Sequence, residues 1–159
     1  MNLAESKGNI LMEAVRKILI ADTTNTGFAS REISFYVSTR VYRTKMEDDS
    51  AFPKITMDVD EYESENNLPT QRSLLTIQAH MKKNDSYALT NLGNLSNRIE
   101  YLLNKKPSSI NLAVSSKKLR CRLINKISGL LTTDELKEVH TKTLIFDVVM
   151  DDEILSCSN

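Results

Sequence analysis

The residues able to do chemistry in this chain are few. Two histidines, His80 and His140, and two cysteines, Cys121 and Cys157, make up its imidazoles and thiols. A nucleophile–base dyad would need Cys121 beside one histidine, because a thiol attacks as its thiolate and a neighbouring base or cation favours that form. Cys121 instead alternates with Leu119, Leu123 and Ile127 on the apolar side of its segment, which reads as a core thiol. Neither cysteine has metal-ligand spacing, and two cysteines do not make a disulfide framework. Asp58 and Asp60 are two positions apart, so on a strand they share a face. There they could hold a cation or act as an acid–base pair, but a solvated or subunit-facing strand face needs the same spacing. Glu47, Asp48 and Asp49 crowd one segment without the glycine and alternating oxygen ligands of a calcium loop.

Phosphate cradles are missing too. Gly8, Gly27, Gly93 and Gly129 are dispersed, and none builds GxGxxG or GxxxxGK[ST]. The sequence therefore argues against an enzyme and implies no cofactor and no metal. The remaining feature with a binding character is the run Lys117, Lys118, Arg120, Arg122 and Lys126, whose last three members fall opposite the Leu119–Cys121–Leu123–Ile127 side. Such a basic face could meet phosphates nonspecifically. However, aromatics are 6% of the chain and do not alternate with the basic residues as base stacking would require. Lys+Arg 21 balances Asp+Glu 21 for a formal net charge of +0, unlike the strongly basic balance of a dedicated nucleic-acid binder. Pairing with acidic residues such as Asp58 and Asp60 across a subunit boundary is the favoured reading. A small nucleic-acid-binding module is the alternative.

These groups need elements to position them. Leu11, Ala14, Val15, Ile18 and Leu19 make a helical stripe within residues 3–21, ending in the small polar run 22–30. Residues 31–38 are ambiguous, since Ile33, Phe35 and Val37 alternate like a strand in a very short segment. Arg40–Arg43 reads as a brief strand, and 44–52 as an exposed charged loop. Pro53 then introduces a strand over 54–63 that alternates Ile55, Met57 and Val59 with Thr56, Asp58 and Asp60. A turn over 64–70 leads to a strand over 72–82, with Leu75, Ile77, Ala79 and Met81 on one face, and the two should pair as a hairpin. Asn84–Ser86 offers an N-cap for a second helix striped by Ala88, Leu92, Leu95, Ile99 and Leu102. Lys105, Lys106 and Pro107 mark its end. Residues 108–117 read as a connection with room for one helical turn. Strands over 118–129 and 137–151 close the chain, the second placing His140 and Lys142 on the face of Leu144, Phe146, Val148 and Met150.

The expected fold is α+β in two layers: a mainly antiparallel sheet with two amphipathic helices on one face. Residues 1–152 form a single domain in this reading, and 153–159 a short polar tail. The N-terminal residues lack a basic region followed by an apolar one, and no stretch nears about 18 apolar residues, so neither a secretory leader nor a membrane span is expected.

With its elements in that order, the chain resembles the tail terminator (tail completion, or neck) proteins of tailed bacteriophages. The resemblance lies in the opening helix LMEAVRKILIAD, the short strand Arg40-Val41-Tyr42, and the strand introduced by Phe52-Pro53. It continues through the helix LTNLGNLSNRIEYLLN and the closing pair RLINKISGLLTTDELKEVHTKTLIFDVVMDD, covering residues 10–152. It implies a structural virion protein assembled in the host cytoplasm into a homo-oligomeric ring, commonly a hexamer. Such a ring caps the tail tube protein and joins it to a head-side connector or stopper protein, with DNA passing through the lumen without specific binding. Another neck ring protein is the neighbouring reading. The resemblance makes Asp58, Asp60, Arg120, Arg122, Lys126, Glu47, Asp48 and Asp49 candidates for subunit or partner contacts. In that picture an acidic sheet face on one subunit meets a basic one on the next.

Overall fold

The computed structural model describes residues 7–24, 31–43, 51–61, 70–104, 110–114 and 117–152. Helix α1 (Lys7–Ala21) buries Leu11, Ala14, Val15 and Leu19 of the stripe expected of it, with Ile18 partly covered, and also buries Met12. Helix α2 (Ile33–Val37) occupies the ambiguous segment. Ile33, Tyr36 and Val37 all point inward there, the i, i+3, i+4 spacing of one helical turn, so period two was the wrong period for these residues.

The sheet contains β1 (Val41–Tyr42), β2 (Lys54–Glu61), β3 (Thr70–Lys82), β4 (Ile110–Val114), β5 (Lys117–Asp134) and β6 (Val139–Asp152), with α3 (Ala88–Asn104) between β3 and β4. Among the described residues six strands lie in the order β1-β2-β3-β6-β5-β4, all antiparallel except the parallel β1–β2 pair. The class is α+β. Residues 110–114, expected to lie in a connection, form an edge strand because INLAV pairs in register with the start of β5. Helix α1 lies against β1, β2 and β4, and α3 against β3, β5 and β6. Both helices join the same buried cluster as Ile55, Met57, Leu75, Ile77, Ala79, Met81, Leu144, Phe146 and Val148. One sheet face is thus the core face, and the other is open.

Two local features differ from expectation. Helix α3 begins at Ala88, so the residue flanking it is Tyr87 rather than one of the Asn84–Ser86 run: Asn91 N donates to the Tyr87 carbonyl (2.8 Å), and Tyr87 itself is left-handed (φ 57°). The register of β5 on β6 also slips twice, between Asn125 and Ile127 and between Ser128 and Leu130. Each slip moves the following residues to the opposite face, since side-chain direction has period two.

The helices are locked together by charge. Asp22, just past α1, accepts from Arg98 Nε (2.8 Å) and Nη2 (2.6 Å) on α3, and from the amide of Ile33 (2.8 Å) opening α2. Arg98 is 1% exposed. On the other side of α1, Arg16 Nε donates to the Val41 carbonyl (2.9 Å), and Glu13 bridges Arg16 and Arg43.

Candidate interface on the open sheet face

The register of four strands lays out the open face in cross-strand rows. Arg72 stands opposite Val149, which stands opposite Arg122. The next row is Asp60, Leu74, Asp147 and Ile124, then Asp58, Thr76, Ile145 and Ile127, then Thr56, Gln78, Thr143 and Leu130. Lys54, His80, Thr141 and Thr132 complete the array toward the β5–β6 turn.

The expected separation of charge is therefore wrong. Asp58 and Asp60 do not lie on one sheet face with Arg120 and Arg122 on another. Arg120, opposite Asp151, and Arg122, opposite Val149, hold register positions on the same face as both aspartates. The reason is topological: an antiparallel sheet with aligned rows keeps partner residues on one side, and β6 carries that parity from β3 to β5. Lys126 sits inside the first register slip and takes no partner on β6. Ile127 also changes face. Alternation places it with Leu119, Cys121 and Leu123, whereas the slip puts it opposite Ile145 on the open face. Glu47, Asp48 and Asp49 lie outside the described residues, as do Cys157 and the remainder of 153–159.

Alternation of the apolar residues alone missed the patch that results. Leu74 and Ile145 are half-buried, Ile127 is 38% exposed and Leu130 56% exposed. These apolar groups share the middle of the face with the half-buried Asp147, which stands between Leu74 and Ile124, and the exposed Asp58 and Asp60 border it on β2. Apolar residues at otherwise polar alternating positions, and a glycine inside a strand, were the available signals. Gly129 adopts φ 79°, a left-handed conformation that glycine enters at no steric cost, and it lies in the second slip.

The positions considered for catalysis are far apart. Cys121 pairs with Met150, ten positions along β6 from His140, or roughly 33 Å at strand rise. His140 lies on the core side and hydrogen-bonds Thr133 Oγ1 through Nδ1 (2.8 Å), while His80 lies on the open face. Asp58 Oδ1 accepts the Val59 amide (3.0 Å) and is solvent-exposed, as is Asp60. Among the described residues, no three His, Cys, Asp or Glu side chains are grouped to hold a metal ion, and no helix is long and apolar enough to cross a membrane.

No protein-family model matches this chain, and no curated protein matches it. Solved structures do. One chain, from a structure described as the virion of the native gene transfer agent (GTA) particle, superposes with a TM-score of 0.66 at 14% identity. The match covers 93% of this chain and 99% of that one. At that identity the likeness is one of fold.

Proposed function

We propose that this chain is a noncatalytic structural virion protein of a phage or phage-like particle, and specifically a tail terminator. Copies close into a ring, commonly hexameric in proteins of this kind, that caps the tail tube and joins it to a head-side connector or stopper protein. The observation that carries most weight is the likeness, over nearly the whole of both chains, to a chain of a gene transfer agent virion. The element-by-element resemblance to tail terminators narrows that reading from virion protein to terminator.

The open face supports it chemically. A closed ring needs a surface on each subunit that docks on a different surface of the next. Interface cores are apolar with polar rims, and Ile127, Leu130, Leu74 and Ile145 bordered by Asp58 and Asp60 match that composition. Because acidic rows adjoin the Arg120–Arg122 positions on one face, the face suits a protein neighbour better than a phosphate backbone, which favours unmixed positive charge.

Light scattering of the protein with and without isolated tail tubes, followed by negative-stain microscopy, tests the proposal. Closed rings seated on tube ends are expected. A chain that stays monomeric at high concentration and leaves tubes uncapped and able to elongate would overturn it.

A further inference from the structure

The open face ends, beside the β5–β6 turn, in a cleft of about 210 Å³ walled by Phe52, Lys54, His80, Asp134, Lys137 and Thr141. It adjoins the row of Thr56, Gln78, Thr143 and Leu130, at the end of the face away from Asp60 and Leu74. Lys54 is the register partner of His80 and is only 4% exposed. Its ammonium stands 4.6 Å from the centre of the Phe52 ring, and that of Lys82 stands 4.8 Å from the same centre. Two cations therefore converge on one aromatic ring at the cleft, an arrangement that gathers positive potential where solvent is partly excluded.

His80 is held from both sides. Its Nε2 lies 2.8 Å from Thr56 Oγ1 on β2, and its Nδ1 lies 2.8 Å from Thr141 Oγ1 on β6. A neutral imidazole has one donor and one acceptor nitrogen. One threonine must then direct its hydroxyl proton at the ring, while the other accepts from it. When the ring takes up a proton both nitrogens donate, both threonine oxygens accept, and both hydroxyl protons are released to point elsewhere. The proton thus adds a positive charge and frees a second hydroxyl donor in one step. The charged groups around His80 are Lys54 from β2, Lys82 on β3, Asp134 at the end of β5 and Lys137 in the turn. From β6 it meets Thr141 and Val139, neither charged. Asp134 turns Oδ1 to the amides of Leu136 and Lys137 (3.0 and 3.1 Å).

We propose that this cleft binds a carboxylate, and that binding is coupled to protonation of His80. The lysines supply the charge, the threonine hydroxyls the hydrogen bonds, and Phe52 and Val139 an apolar wall for a short stem. The small volume and the Asp134 carboxylate in the wall favour a single negative charge over a phosphate dianion. Coupling is reciprocal: a carboxylate that binds the protonated form better raises the proton affinity of His80 by the same factor.

Titration of the full-length protein with acetate at pH 5.5 and 7.5, followed by NMR through the His80 ring resonances and, in every variant, the backbone amides of Thr56 and Thr141, tests this. Saturable shifts are expected, with affinity on the order of tenfold tighter at the lower pH. His80→Gln should abolish the pH dependence while its spectrum stays folded, and the exposed Lys137→Met should weaken binding several-fold at both pH values. Capped glutamate and inorganic phosphate are parallel arms. Capped glutamate binding tighter than acetate assigns the carboxylate to a docking protein side chain, and the reverse order assigns it to a free acid; both support the site. Phosphate binding tighter than either carboxylate overturns the assignment. So does an absence of shifts at His80, or a pH dependence that survives in His80→Gln.

Discussion

Arg98 grips both carboxylate oxygens of Asp22, at 2.8 and 2.6 Å, and so ties the middle of α3 to the end of α1. The same carboxylate holds the first amide of α2, so three helices meet at one ion pair. Removing one partner leaves a buried charge without its counterion, which costs about 3–5 kcal/mol. Arg98→Met and Asp22→Asn should each lower the unfolding free energy measured in urea by that order. The double variant should lose less than the sum, and a double-mutant cycle measures the difference.

The pair also fixes how stability responds to acid. Burial alone would raise the Asp22 pKa. The Arg98 hydrogen bond, the Ile33 amide and the Arg98 charge together outweigh it, holding the carboxyl below its usual range. A carboxylate depressed in the folded state contributes stability above its unfolded value of about 3.9, and that contribution is lost as pH falls through the folded value. Urea unfolding between pH 6 and 2.5 should therefore show a decline below about pH 4 that Asp22→Asn flattens.

Two glycines should respond in opposite directions. A Cβ at Gly129 would stand 3.2 Å from Ser96 Oγ and 3.4 Å from Lys142 Cδ on a backbone with φ +79°, so Gly129→Ala should cost about 1–2 kcal/mol. At Gly93, inside α3, the nearest atom is the mobile Lys142 ammonium at 3.8 Å. Gly93→Ala should stabilise by up to about 1 kcal/mol through helix propensity. Thermal unfolding of the two variants side by side reads the contrast.

On the open face, assembly and folding should separate. Ile127→Asp with Leu130→Asp alters exposed positions, so the unfolding free energy should change by no more than about 1 kcal/mol. Ring formation on tail tubes should fail, because a charge in the apolar centre of an interface costs far more than one on its rim. Leu144→Asp, in the core, should fail to fold and serves as the contrast.

The core was legible in the sequence because it follows simple periods: the α1 and α3 stripes and the inward residues of β2, β3 and β6 lie where period 3.6 or two puts them. The open face was less legible. Its composition depends on two register slips in β5, and one inserted residue reverses every subsequent side. That is why Ile127 was misplaced; the charges share a face for a separate reason, because Arg120 and Arg122 precede both slips and aligned antiparallel rows carry their parity across β6 and β3 to Asp58 and Asp60. Arg98 was hidden for a different reason: a cation beside a helical stripe reads as solvated unless its carboxylate partner is known, and Asp22 lies 76 positions away. The edge strand β4 was missed because INLAV is too short for period two to stand out, and its pairing with β5 supplies what the sequence pattern lacks.

The proposed role is a position in a particle, which cryo-electron microscopy of the assembled particle reads out. Density for this fold is expected as one closed ring between the end of the tail tube and the head-side connector, with Ile127 and Leu130 covered by the adjacent copy. Density for the chain elsewhere in the particle, or a junction occupied without it, would rule that position out.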